Sequence, residues 1–379
     1  MEAIKTLFFI FLFLTFYSFF VYPVILSLLG CIIRKQVHGN TCTPPVTLII
    51  SAYNEESVIA RKIENSLKLD YPRNLLEIMI VSDHSTDRTD SIVREYIGNG
   101  ITLLSQPERS GKTAGLNGAV KRASGEILVF SDADAMYEPG AIKKMVNLLG
   151  DERVGLVTGS TRYIAETDGD MVETSSIYTD LERFIKRNES RVGSCVGADG
   201  AIFAMRKSLY QPLRSDDIND FVLPLTVVKS GYRVVLHDDL YCSEAASSDA
   251  GSEFQRQVRI TNRTLRALFR NSELMNFFKF PFFSFELISH KLVRLGVPVF
   301  MVALIPLNAL LVGEGLYYKV MMIGQGTFYG AALFAHICES YGRKRVLSMI
   351  YHFVFINISV LIGWRNYISG VKQITWNTK

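Results

Sequence analysis

From Leu7 to Ile33 the chain carries no charged residue, and Arg34 and Lys35 follow at once. About 20 apolar residues suffice for a helix to span a bilayer. The run is too long for the apolar core of a signal peptide, and no small-x-small cleavage site follows it. A retained transmembrane helix is therefore expected over residues 1–36. Length argues against the competing reading, a buried helix of a soluble protein. Three further uncharged runs, Leu295–Gly313, Val320–Cys338 and Val346–Trp364, predict about three transmembrane helices over residues 293–379. Residues 251–292 lie between, and include Phe277-Phe278-Lys279-Phe280-Pro281-Phe282-Phe283. Aromatic and basic side chains collect at the membrane interface, so amphipathic interface helices are expected there, or the start of another span.

Charge sets the expected orientation. Arg34 and Lys35 after the first helix put the middle of the chain in the cytoplasm, and Arg343-Lys344-Arg345, two crossings further on, agrees. Glu314, Lys319 and Glu339 mark the other breaks between runs. The tail with Arg365, Lys372 and Lys379 would then lie outside, against the rule. A multi-pass protein of the cell membrane with a cytoplasmic middle domain follows. Its net charge of +4 fits that layout and does not indicate a nucleic-acid binder. Cys31, Cys42, Cys195, Cys242 and Cys338 form no CxxC, and the six histidines are dispersed. Neither a zinc site nor a disulfide framework is suggested.

Residues 44–250 alternate strands with helices. Val46–Ile50, Ile78–Val81, Ile101–Leu104 and Ile127–Phe130 are short apolar runs, each followed by a polar turn and a helical stretch. That alternation predicts an α/β fold with a doubly wound, mostly parallel sheet. Ligands in such folds lie beyond the carboxyl ends of the strands. The turns there are Ser51-Ala52-Tyr53-Asn54-Glu55, Asp83-His84-Ser85-Thr86-Asp87, Gly111-Lys112 and Asp132-Ala133-Asp134. Asp132 and Asp134, two apart at a strand tip, suit Mg²⁺ or Mn²⁺, which take oxygen ligands from one or two carboxylates plus substrate phosphates. Asp83 is placed to accept from a base or ribose; Ser85 and Asp87 read better as caps of the following helix. Lys112 after a glycine and before a helix is placed for a phosphate. The segment does not match Gly-x4-Gly-Lys-Ser/Thr, which excludes a phosphate-loop ATPase.

Taken together these motifs resemble the family 2 glycosyltransferases, inverting enzymes that use nucleotide sugars on a GT-A domain. The resemblance continues through Gly197-Ala198-Asp199-Gly200-Ala201, Asp216-Asp217-Ile218-Asn219-Asp220, Gly231-Tyr232-Arg233 and Gln257-Val258-Arg259-Ile260. It extends to the membrane-embedded branch with cellulose, chitin, hyaluronan and poly-N-acetylglucosamine synthases. It implies that Ser51, Tyr53 and Glu55 border the nucleotide and that Asp83 contacts the base, usually uracil. Lys112 lies near the diphosphate, Asp132 faces ribose or phosphate, and Asp134 holds the metal, Mg²⁺ or Mn²⁺. Asp199, Arg256 and Arg259 are assigned to acceptor or diphosphate. The implied base is an aspartate upstream of Gly-aromatic-Arg. Of Asp216, Asp217 and Asp220, spacing selects Asp220, and the first two read as helix caps.

Two positions depart from the family pattern. Asn219 stands where an acid is usual. The Gln-x-x-Arg-Trp of processive synthases is replaced by Arg256-Gln257-Val258-Arg259-Ile260, which lacks the aromatic face for an acceptor sugar. Arg256 and Arg259 share a helical face, while Arg263 and Arg266 equally suit lipid headgroups. The expected function is transfer of a sugar from a nucleotide donor, UDP-linked by resemblance, to a glycan acceptor, with a polyprenyl-linked acceptor as the alternative. Membrane lipid is an expected partner. A non-catalytic sensor is disfavoured because Asp132, Asp134 and Asp220 are all present. A transporter is disfavoured because the three C-terminal runs hold no charge to mark an ion path.

Overall fold

The computed structural model describes residues 1–167, 170–174, 177–245, 250–338 and 345–373. Glu339, Arg343, Lys344 and Lys379, used in the charge argument, lie outside the described residues. The chain divides into two compact units, one of residues 1–25, 249–268 and 285–372, the other of 26–248, 269–284 and 373–379.

The second unit holds a nine-stranded sheet: β1 Val46–Ala52, β2 Leu76–Ser82, β3 Ile101–Ser105, β4 Ile127–Asp132, β5 Met136–Tyr137, β6 Val154–Thr167, β7 Asp170–Thr174, β8 Ile202–Arg206 and β9 Arg233–Ala245. Its order is β3-β2-β1-β4-β8-β6-β9-β5, with β7 beside β6. β1 is buried at all seven positions, as a central parallel strand covered on both faces should be. The pairings among β1 to β4 are parallel, as the strand–helix alternation predicts. Beyond β4 the sheet is mixed. β8 runs antiparallel to β4 and β6, and β6 parallel to β9. Strand direction there depends on which edge the chain returns to, and local patterning does not carry it. Phe130 and Phe203 face each other across β4 and β8 with rings stacked at 4.7 Å, a cross-strand pair that fixes this register.

The first unit is helical. Among the described residues, four helical stretches are long and apolar enough to cross a membrane: Glu2–Ile32, Pro281–Glu314, Leu316–Ile337 and Val346–Ile368. The second begins at Pro281, so Phe282 and Phe283 of the aromatic segment belong to it. Phe8 of the first stretch packs with Leu304, Leu311 and Tyr318, and Tyr17 Oη lies 2.9 Å from Ser289 Oγ. The helix Ala250–Arg270 meets the last apolar helix through Phe254 and Phe355, ring centroids 5.0 Å apart, and Arg266 donates to the Val371 carbonyl (2.8 Å).

Candidate active site

Register lines up the strand ends. Ser51 pairs with Asp132 across β1 and β4, Ala52 with Ser82 across β1 and β2, and Ser82 with Ser105 across β2 and β3. Four parallel strands thus end level, and the turns that follow them open on one rim.

The turns after β1 and β2 are latched to each other. Asn54 N donates to Ser85 Oγ (3.1 Å), Thr86 N to Asn54 Oδ1 (2.8 Å), Glu55 N to Thr89 Oγ1 (2.8 Å) and Glu56 N to Asp87 Oδ2 (3.0 Å). Asn54 and His84 take left-handed φ values of 52° and 58°, a region in which Asn and His are enriched among non-glycine residues. Asp87 accepts from Thr89 N (2.9 Å), the first residue of the helix Thr89–Glu95. Ser85 does not cap that helix; its hydroxyl serves the neighbouring turn, because the latch brings the Asn54 amide closer.

Asp83 is buried, and its carboxylate organises the third turn. Oδ1 accepts from Gln106 Nε2 (2.7 Å), Ser110 N and Gly111 N (2.9 Å each). Gly111 adopts φ +87°, where a Cβ would be strained, and this conformation turns its N–H to Asp83 and starts the helix Lys112–Arg122. Burial raises the Asp83 pKa above the usual carboxylate value, with the Gly111 and Ser110 amides opposing. At the helix start, Lys112 Nζ is ion-paired with Asp132 Oδ1. Burial alone would lower the pKa of Lys112; attraction to Asp132 outweighs it and the pKa is raised. Arg109 lies over the Tyr53 ring at 3.9 Å.

Carboxylates accumulate at this rim. Glu55 is pushed up to about 7 by burial and then by Asp134, Asp132 and Asp87. Asp134 is raised by burial and by Asp132. Such mutual repulsion marks a site short of positive charge. Ser51 Oγ is buried without a hydrogen-bond partner among the described residues. Unmet buried polar groups are rare and call for a ligand. Among the described residues no three His, Cys, Asp or Glu side chains form a group able to hold a metal. The donor set available is the hard oxygen pair of Asp132 and Asp134, which fits Mg²⁺ or Mn²⁺ completed by a ligand's phosphates.

The antiparallel β8 brings the opposite wall. Ser131 pairs with Ile202, so the loop ahead of β8, with Asp199, lies beside the end of β4. The Asp199 carboxylate accepts from Thr161 N (2.8 Å), Thr161 Oγ1 (2.9 Å) and Ala201 N (3.1 Å). Both its oxygens are thereby held by the protein. Ala198 N donates to the Asp220 carbonyl (2.7 Å), which fixes the start of the helix Asn219–Lys229 on this loop. Asp220 Oδ1 and Asn219 Nδ2 are buried without hydrogen-bond partners among the described residues. Burial raises the Asp220 pKa; Lys112 and Lys186 oppose, and Asp199 and Asp132 add to it. Asp216 and Asp217 do not cap that helix, which has no side-chain cap. They are buried and ion-paired with Arg270, Nη1 to Asp217 Oδ1 at 2.8 Å. Arg256 and Arg259 lie on the helix Ala250–Arg270. Arg256 is paired with Glu253 (2.7 Å). Arg259 is pushed down to about 10 by burial and by Arg263 and Arg256.

Three residues around the site escaped the sequence reading. Arg270 is 53 residues from Asp217, and nothing local links them. Lys186 donates to the Ala198 carbonyl (3.0 Å). Lys62 had a signal: it shares the buried face of the helix Ile59–Leu67 with Ile59, Ile63 and Ser66, where a lysine is out of place.

Residues 47–214 match the family model of Glycosyl transferase family 2, and this part of the chain is a family 2 glycosyltransferase domain. The chain is 34% identical over 128 residues to the beta-monoglucosyldiacylglycerol synthase of Nostoc sp., covering 33% of this chain and 27% of that protein. It is 26% identical over 221 residues to the poly-beta-1,6-N-acetyl-D-glucosamine synthase of Staphylococcus aureus, covering 56% and 53%. The chain thus spans about half the length, or less, of these relatives. The mannosyltransferase PcManGT of Pyrobaculum calidifontis, solved with GDP-Man and Mn²⁺, superposes with a TM-score of 0.75 over 96% of this chain and 99% of that one. At 21% identity this likeness shows the fold, GT-A. The domain is similar in sequence to those of polysaccharide and glycolipid synthases.

Proposed function

We propose that the protein is an inverting, metal-dependent glycosyltransferase that moves a sugar from a UDP-linked donor to a glycan acceptor in the manner of a polysaccharide synthase. The observation that carries the proposal is the meeting at one rim of the crowded carboxylates Glu55, Asp132 and Asp134 with Lys112, opposite Asp220 Oδ1, which has no hydrogen-bond partner among the described residues. Ser51, Tyr53 and Glu55 border the nucleotide, and Asp83 borders the base through the loop it holds. Lys112 faces the diphosphate, Asp132 ribose or phosphate. Asp134 would hold Mg²⁺ or Mn²⁺, which would neutralise charge gathering on the departing diphosphate. Asp220, raised by burial, removes the acceptor hydroxyl proton as that oxygen attacks the anomeric carbon and the nucleoside diphosphate leaves. Asp199 orders the loop beneath the acceptor. Arg259, which among the described residues makes no ion pair, is assigned to the diphosphate or acceptor, with Arg256 beside it. The domain boundaries expected from the sequence (residues 1–36, 44–250, 251–292 and 293–379) and a cytoplasmic domain at the cell membrane complete the proposal.

Ile260 favours a second reading. The missing tryptophan removes an aromatic platform for a growing glycan, and the likeness to a glucosyldiacylglycerol synthase supports an acceptor carried on lipid, such as a polyprenyl-linked one. Release of UDP by the purified protein, across a panel of UDP-sugars with Mn²⁺ or after chelation, tests both. Release with a long polymer supports the synthase reading. Release only with a polyprenyl-linked acceptor supports single transfer. No metal-dependent release from any donor, with or without acceptor, overturns both.

A further inference from the structure

Lys62 is fully buried. Lysine is almost never found so unless it is paired, and among the described residues Lys62 makes no ion pair. Its Nζ donates to Ser131 Oγ (2.8 Å) and to the Ala135 carbonyl. The Tyr137 ring takes the remaining side, 4.2 Å from ring centroid to Nζ, close enough for a cation–π contact. An ammonium has three N–H groups, and here two acceptors and a ring face answer them. Burial pushes Lys62 down to about 8, against the attraction of Cys242, Asp132 and Asp134.

The two hydrogen-bond acceptors are informative. Ser131 is the residue before Asp132 at the end of β4, and Ala135 is the residue after Asp134. Ala135 N bonds back to the Asp132 carbonyl (3.4 Å). The ammonium therefore bridges the two feet of the turn that carries Asp132 and Asp134, from the core side. An apolar residue at position 62 would fill the space but leave the Ala135 carbonyl and the Ser131 hydroxyl without their shared donor.

We propose that Lys62 is a positioning residue for the Asp132-Ala133-Asp134 turn, clamping both its feet from within the core and setting a fixed positive charge beneath the two carboxylates. It acts on the donor only through that turn. The inference rests on the reading of Asp132 and Asp134 as the metal and diphosphate site. Residues that orient ligands in this way typically cost roughly 10–100-fold in metal affinity or activity when replaced.

The test uses full-length Lys62→Met, which keeps length and removes the ammonium, and Ser131→Ala, which removes one acceptor and keeps the charge. Asp134→Asn serves as the control. Thermal unfolding confirms folding, and Mn²⁺ uptake in the presence of UDP is measured from the paramagnetic resonance of free Mn²⁺, without turnover. Donor KM and kcat are measured alongside. Expected is a folded Lys62→Met with Mn²⁺–UDP affinity down roughly 10–100-fold and raised donor KM, and a smaller loss of the same sign in Ser131→Ala. Wild-type affinity and kinetics in a folded Lys62→Met overturn the proposal. If Lys62→Met does not fold, wild-type affinity in Ser131→Ala overturns it. Wild-type affinity in Asp134→Asn overturns the shared site reading and the proposal with it, whereas loss there alone removes only Lys62.

Discussion

Lys112 and Asp132 form an ion pair between the first residue of a helix and the last residue of a central strand. It joins the Gly111 turn, which Asp83 holds, to the turn that carries Asp134. Replacing Lys112 by methionine should leave the fold intact and weaken donor binding. Hydrogen bonds to charged groups are worth about 1.5–3 kcal/mol, so kcat/KM for the donor should fall roughly tenfold or more. Steady-state kinetics check this, and an unchanged donor KM would remove Lys112 from the diphosphate.

Asp220→Asn should cut kcat by about 10²–10⁴-fold, the usual range for a general base, while UDP binding stays near wild type. Calorimetry with UDP and single-turnover transfer separate the two. Substantial turnover by this variant would move the base elsewhere.

A Cβ on Gly200 would lie 3.0 Å from Asp220 Oδ2, closer than ordinary contacts allow. Gly200→Ala should shift that carboxylate by a few tenths of an ångström, lowering kcat with little change in donor KM. A KM effect without a kcat effect would contradict the placing of Asp220 at the acceptor.

Glu55 gives stability a pH dependence of definite sign. Its pKa is raised from 4.5 to about 7, burial first and Asp134 next. Between those values the unfolded chain has lost the proton that the folded one keeps, so stability falls as pH rises through that window and levels off above it. Thermal unfolding from pH 4.5 to 7.5, without metal, should show this decline, and Glu55→Gln should flatten it. A rise of stability with pH that Glu55→Gln abolishes would refute the assignment.

Arg270→Met removes the ion-pair partner that the buried Asp216 and Asp217 share. Breaking such a pair costs about 3 kcal/mol at the low end of the usual range, appropriate here because Arg270 is partly exposed. Chemical denaturation measures the loss, and Arg270→Lys should recover part of it.

Much of the rim at the ends of β1 to β4 was legible in the sequence. β1, β2, β3 and β4 are short β-branched runs stopped by polar turns, a pattern that encodes both strand and crossover. Asp132, Asp134, Lys112 and Asp83 stand at the turns because those strands end there. The other wall was less legible. Asp216 and Asp217 look like helix caps from their local position, but Arg270 reaches them from the end of a distant helix. Ser85 likewise has the place of a cap, and its hydroxyl is taken by the Asn54 amide of another turn.

Local chemistry in the sequence determined the apolar helices, the parallel strands and the carboxylates at their tips, because each depends on residues within one or two turns of chain. Tertiary structure alone decided the antiparallel β8, the Ala198–Asp220 bond, the Arg270 clamp and the Lys62 ammonium under the Asp132–Asp134 turn. Those are contacts between residues far apart in sequence, and their partners are chosen by which surfaces the packed sheet and helices bring together.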